Sequence, residues 1–337
     1  MTGYAAELRE MDGASASTVA AVLETLDEPV VFRGLVSDWP AVEAARRSGE
    51  EAIELVGRFA GPHPVTVFRG AADAEGRIFY DDELQSVNFE QSREPFAEVA
   101  GSLRDAASEA EPPVVYMGSA AMDHFFPGFS DENSLPLPGA NLTKRLWIGN
   151  RSVVAPHYDA MENIACVCAG RRRFTVFPPG QIGNLYVGPI DFTPAGQSIS
   201  LVDIRDPDLE TFPRFADAMK TAQTALLEPG DAIYIPAMWW HHVESQDEFN
   251  ILVNHWWQDV PDYVGAPQDV LLHAILNLRE LPKAQRDAWR GVLDHYVFDA
   301  PDEATSHIPE QRRGVAGALS PDMARQLRAL LRNNLNR

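Results

Sequence analysis

His157-Tyr158-Asp159 and the later cluster Trp239-Trp240-His241-His242 supply two imidazoles and a carboxylate to one metal ion. Two histidines and one carboxylate on one face of a metal leave its other positions open for a co-substrate and O2, the ligand pattern of mononuclear iron(II) oxygenases. The same nitrogen and oxygen donors would also admit zinc or manganese for non-oxidative chemistry. His157 and Asp159 stand two residues apart, so on a strand both side chains leave the same face. His241 and His242 are neighbours and point to opposite faces of a strand, so only one of them can meet the ion.

The elements that must position these groups are strands. His241 follows His157 by 84 residues, a separation that suits two strands side by side across a barrel. Glu228-Pro-Gly-Asp231 reads as a tight turn and Ala232 to Pro236 as a short apolar strand. Phe249 to Trp257 is rich in Ile, Val, Phe and Trp, as a buried strand would be.

The stretch from about Asn141 to Trp257 resembles the cupin-like, JmjC-type 2-oxoglutarate oxygenases, and most of all the factor-inhibiting-HIF asparaginyl hydroxylase group. The matching pieces are Leu146-Trp-Ile-Gly149, Pro156-His-Tyr-Asp159, Asn163, Phe177-Pro-Pro179, Pro229-Gly-Asp231, Tyr234-Ile-Pro236, Trp239 to Ser245, and Val253-Asn254 with Trp256. Upstream, Pro29-Val-Val-Phe-Arg-Gly34 and Asp38-Trp-Pro40 are similar to the segment that opens that family's domain. The resemblance implies that His157, Asp159 and His241 ligate iron(II), with His242 as a neighbour. It implies 2-oxoglutarate as co-substrate, bound by Tyr116, Asn163, Arg172 and Asn254. Arg172 stands where the family usually has lysine, and Val154 where it has a hydroxyl-bearing threonine. Arginine still binds a carboxylate through two parallel hydrogen bonds, and one lost hydroxyl removes about 0.5–1.5 kcal/mol.

The implied reaction is oxidative: O2 and 2-oxoglutarate are consumed, succinate forms and the substrate becomes an alcohol. A protein or peptide side chain is the substrate the resemblance favours; a small metabolite or a modified RNA base would use the same chemistry. A non-catalytic module that keeps the metal without co-substrate is the competing class. Trp239, Trp240, Trp256 and Trp257 are candidates to wall the pocket or, equally, to fill the barrel core.

The fold expected is mainly β with helical additions: a double-stranded β-helix (cupin, jelly-roll) core and C-terminal helices. Residues 1–110 form an α/β segment, 111–260 the catalytic core and 261–337 a helical region. Within the first segment Ser17 to Leu26 reads as a helix, and Arg77 to Tyr80 as a short strand. Between Gln181 and Ala222 an insertion rich in Pro, Asp and Gly shapes the substrate entrance. Val270, Leu271, Ala274, Ile275 and Leu278, then Met323, Leu327, Leu330 and Leu331, mark helical stripes. By analogy with the family they are expected to form a homodimer interface; a monomer whose helices cap the barrel is the alternative.

Composition bounds the partners. In 337 residues, 49 acidic groups against 28 basic ones give a formal charge of −21, which disfavours nucleic acid and anionic membranes. The 45% hydrophobic content can fill a sizeable core. No signal-peptide pattern opens the chain and no long apolar run crosses it, so a cytoplasmic location is expected. Cys166 and Cys168 face the same side of a strand and are expected to be reduced and buried.

Overall fold

A computed structural model describes residues 5–139, 141–194, 196–299 and 301–335. The chain divides into two compact units, Met1–Gln258 and Asp259–Arg337.

The first unit contains fifteen strands among its described residues: β1 (Ala6–Glu7), β2 (Glu10–Met11), β3 (Val30–Phe32), β4 (Val65–Gly70), β5 (Arg77–Ile78), β6 (Phe89–Glu94), β7 (Val114–Ala121), β8 (Thr143–Gly149), β9 (Ser152–Tyr158), β10 (Glu162–Ala169), β11 (Arg172–Phe177), β12 (Gln223–Leu227), β13 (Ala232–Ile235), β14 (Trp240–Ser245) and β15 (Asn250–Trp257). They form a six-stranded sheet, β1-β12-β11-β14-β9-β5, and a nine-stranded sheet, β2-β3-β13-β10-β15-β8-β7-β4-β6. From β8 onward the chain passes repeatedly between the two sheets, which makes the core a double-stranded β-helix: a jelly-roll with helical additions.

Strand β10 shows why the sequence folds this way. Asn163, Ala165 and Val167 turn into the barrel, while Ile164, Cys166 and Cys168 turn outward, and nearly every residue is buried. A strand covered on both faces needs apolar residues at both parities. The outward set meets a helical layer, Pro40–Arg47, Gly49–Gly57 and Phe96–Ala107. Pro40 opens the first of these helices and Ser48 caps the second by accepting from the Glu51 amide. Cys166 and Cys168 are free and buried, and burial raises both thiol pKa values. Inside, Val167, Phe174, Val176, Ile233, Ile235 and Leu252 fill the closed part of the barrel.

The Glu228–Asp231 turn joins the N-terminal segment to this barrel. Gly230 has φ +106°, and a Cβ there would come within 2.6 Å of Ser37 Oγ. The Asp231 carboxylate accepts hydrogen bonds from the Gly34 amide at 2.9 Å, Arg33 Nη1 at 2.7 Å and the Glu228 amide at 3.1 Å. Two motifs far apart in sequence are therefore one structural joint.

The N-terminal segment differs from its expected detail. The helix expected over Ser17 to Leu26 is confined to Val19–Leu23, with Ser15, Ser17 and Thr18 bonded to one another before it. The strand expected to reach Tyr80 is confined to Arg77–Ile78, and Tyr80 makes only an isolated bridge with Val87. The short strands β1 and β2 extend both sheets, too brief to carry a periodic signal.

The second unit is helical, with Pro267–Leu278, Lys283–Leu293 and Pro321–Leu335 as its longest elements. Both expected stripes fall on these helices. Among the described residues no helix is long and apolar enough to cross a membrane.

Candidate metal centre

His157 lies at the end of β9 directly opposite His241 of β14, with ring centroids 4.2 Å apart. Asp159 sits one residue beyond β9, and its carbonyl accepts from the Met238 amide at 2.7 Å. Met238 takes φ +68°, a conformation unusual for a side chain of its size, so the loop ahead of β14 is held tightly against Asp159. Asp159 Oδ2 is 3.7 Å from His241 Nε2 and 3.4 Å from Asn163 Nδ2. One donor atom from each of His157, Asp159 and His241 falls within 4.8 Å of the others.

Backbone carbonyls orient both rings. His157 Nδ1 is 2.9 Å from the Ala155 carbonyl and His241 Nδ1 is 3.1 Å from that of Trp239. With Nδ1–H donating, each Nε2 keeps a lone pair for a metal, the second contact that metal-binding histidines usually make. Burial, and then the neighbouring His157, push the His241 pKa down to about 4, against a smaller opposing pull from Asp159. His241 is neutral at neutral pH and ready to ligate. These residues fit a divalent ion held by two nitrogens and one oxygen.

A bulge between His241 and Val243 separates the two adjacent histidines. His241 lines the cavity; His242 is buried elsewhere, with Nε2 3.3 Å from Glu244.

The site opens into a cavity of about 210 Å³. All seven residues expected at the site line it: His157, Asp159, His241, Tyr116, Asn163, Arg172 and Asn254. Val154 lines it too. Gly170 positions Arg172 through the turn from β10 to β11. It has φ +68°, and a Cβ there would overlap Asn250. Arg172 is 2% exposed, and its Nε and Nη2 have no hydrogen-bond partner. Burial lowers its pKa from the ordinary arginine range, opposed by its contact with the Tyr116 hydroxyl. Asn254 Nδ2 donates to Asn163 Oδ1 at 2.7 Å, which extends the chain of amides toward Asp159.

The tryptophans divide between wall and core. Of Trp239, Trp240, Trp256 and Trp257, only Trp256 lines the cavity. Trp240, beside His241 on a strand, faces the other way onto Phe177, Phe215 and Tyr158. Trp239 packs in the barrel interior, and Trp257 alternates outward onto Tyr234. Trp147 and Phe68 take the places in the wall, and Trp147 had a signal in the sequence: it alternates with Leu146 and Ile148 on β8. The insertion expected at the entrance contributes Pro194, Gln197 and Ile199.

Fold and site together define a jelly-roll protein whose barrel brings together a His-X-Asp…His set able to hold a metal ion. The chain belongs to the cupin-like domain family, whose signature covers residues 17–263. It is similar to HSPB1-associated protein 1 of Homo sapiens, at 26% identity over 80% of this chain and 56% of the relative. It is similar to lysine-specific demethylase 8 of Xenopus tropicalis, at 26% identity over 68% of this chain and 48% of the relative. A third relative is tRNA wybutosine-synthesizing protein 5 of Gallus gallus, 32% identical over 39% of this chain and 43% of the relative. The chain thus spans about half the length of these relatives.

Proposed function

We propose that the chain is an Fe(II)- and 2-oxoglutarate-dependent dioxygenase that hydroxylates a protein or peptide side chain. The observation that carries this reading is Arg172: a buried cation with two unpaired N–H donors, in the same cavity as His157, Asp159 and His241. A buried unpaired donor is costly unless a ligand completes it, and a dicarboxylate that also reaches a metal is the complement of this cavity.

His157, Asp159 and His241 would hold the iron, which when bound supplies the chemistry that couples O2 and 2-oxoglutarate to oxidation of a C–H bond. Arg172 and the Tyr116 hydroxyl bind the distal carboxylate of the co-substrate. Asn254 and Asn163 form a fixed amide chain that steadies Asp159 and presents polar atoms to the ligand. Phe68, Trp147, Ile199 and Trp256 keep bulk water from the reacting groups.

The lysine-specific demethylase and tRNA wybutosine-synthesizing names of two relatives point to protein and RNA substrates. A charge of −21 opposes a polyanion, so a polypeptide is preferred here, as in the asparaginyl hydroxylase group whose motifs the chain resembles. Iron-dependent conversion of 2-oxoglutarate to succinate tests the reading. It is expected in the native chain and absent from His157→Ala, and its absence from the iron-loaded native chain contradicts the assignment.

A further inference from the structure

We propose that Arg145 recognises a carboxylate on the substrate. The inference deepens the oxygenase reading and rests on it for what happens to that substrate; the binding itself is read separately.

Strand β8 turns Leu146 and Ile148 outward into the fully buried core under the helices. Arg145 and Trp147 share the opposite parity, and Trp147 lines the metal cavity. Across the sheet Arg145 is the register partner of Asn254, which leads through Asn163 to Asp159. Arg145 therefore belongs to the metal end of the barrel. Arg172 pairs with Ser245, four residues along β14 from His241, or roughly 13 Å at the usual rise of a strand. The two arginines serve different ends of the site.

The backbone beside Arg145 is shaped for it. Strand β7 bulges between Met117 and Ala120, and Ser119 within the bulge has φ +45° and lines the cavity. Such bulges re-aim side chains beside active sites. Arg145 Nη1 reaches the Ser119 carbonyl only at 3.5 Å, and its buried Nε has no partner. No carboxylate lies within ion-pair distance of Arg145 among the described residues. By contrast, Arg33, Arg69 and Arg205 of the same unit pair with Asp231, Glu94 and Asp203. Among the described arginines only Arg145 and Arg172 keep buried guanidinium nitrogens without a partner, and such donors call for a ligand.

The neighbouring atoms indicate its chemistry. Trp147 Nε1 and Trp256 Nε1 are also buried without partners, and Asn254 Oδ1 is the unpartnered acceptor beside them. Arg145 is not itself a lining side chain, but it touches Ser119, which is, and unpartnered donors around this end of the cavity outnumber unpartnered acceptors. The complementary ligand is rich in acceptors, and the planar guanidinium fork matches a carboxylate through two parallel hydrogen bonds.

The test uses the full chain with Fe(II) and saturating 2-oxoglutarate under anaerobic conditions. The probes are acetyl-capped hexapeptide amides with one position fixed as Asp, Glu, Asn or Gln and the others drawn from neutral residues. Binding is read from quenching of tryptophan fluorescence. The native chain is expected to bind acidic pools at least about tenfold more tightly than their amide counterparts, as a charge-assisted pair allows. Arg145→Gln should abolish that preference, Arg145→Lys should keep part of it, and Arg93→Gln, at an exposed arginine of β6, should keep it in full. Acetyl-aspartate and succinate as further probes separate an acidic peptide from a small organic acid as the source of the carboxylate. Equal binding of acid and amide pools, no saturable binding of any pool or acid probe, or a preference that survives Arg145→Gln would each overturn the proposal. Loss of 2-oxoglutarate binding with the preference intact would instead remove the oxygenase reading and leave the role of Arg145 standing.

Discussion

Replacing Arg172 with Met should move co-substrate affinity and stability in opposite directions. Arg172 is fully buried among the Tyr116 hydroxyl, the barrel interior and the cavity, and two of its N–H donors are unpaired. A charge-assisted hydrogen bond to a carboxylate is worth about 1.5–3 kcal/mol, so Arg172→Met should weaken 2-oxoglutarate binding by about 10- to 150-fold. Without co-substrate the same change relieves two unsatisfied buried donors at about 1–3 kcal/mol each and loses one bond to Tyr116 worth about 1 kcal/mol. The balance is a gain of at least about 1 kcal/mol, or a melting temperature raised by about 2 °C or more for a unit of this size. Anaerobic 2-oxoglutarate titrations and thermal melts of the metal-loaded protein without co-substrate measure the two halves. Affinity retained within twofold, or a variant less stable than the native chain, would refute the reasoning that Arg172 is a strained cation awaiting a carboxylate.

Other outcomes follow from the same geometry. Asp159→Ala should abolish iron-dependent succinate formation and weaken Mn(II) binding while far-UV circular dichroism stays native; retained turnover would defeat the triad. His255 is buried, accepts from the Leu135 amide at 3.0 Å, and is held to a pKa of about 3 by burial and then by Lys144. The unfolded chain takes up that proton near pH 6.5, so the stability His255 contributes is complete above pH 6.5 and falls toward pH 3. That amounts to about 2 kcal/mol between pH 6.5 and 5. His255→Gln should flatten this limb in urea unfolding at the two pH values, and an unchanged slope would exclude His255 as its source. In the second unit no residue of Pro267–Leu278 or Lys283–Leu293 is buried, and Val270, Leu276 and Phe298 are exposed. We propose that a second copy covers this apolar surface. The chain should sediment as a dimer and Leu276→Glu should shift it toward monomer; a native monomer would exclude the pairing.

Much of the site was legible because its chemistry has a short period. His157 and Asp159 at i and i+2, and the Pro229-Gly-Asp231 turn ahead of a strand, are local signals that survive folding. Asp159 nonetheless lies past the end of β9, so its position depends on the Met238 contact as well as on strand alternation. The choice between His241 and His242 turns on a bulge, which leaves no mark in the alternation of residue types. Which tryptophans wall the cavity and which fill the core was not legible, because proximity in sequence to the ligand histidine says nothing of parity. Trp240 faces away for the same geometric reason that His241 faces in. Arg145 escaped because its meaning depends on register with Asn254, more than a hundred positions away, and Ser119 because it sits in a bulge of β7 against β8. The C-terminal stripes identified helices correctly, but a stripe does not say what covers it.

The most direct test of the account is to titrate iron(II)-loaded protein with 2-oxoglutarate without oxygen and watch the visible spectrum. A keto acid that chelates iron through two oxygens gives a weak metal-to-ligand charge-transfer band. The band is expected to appear and saturate in the native chain, and to be absent from Asp159→Ala. Iron that binds with no such band at saturating 2-oxoglutarate would contradict the account and leave a cupin-like module that holds metal without this co-substrate.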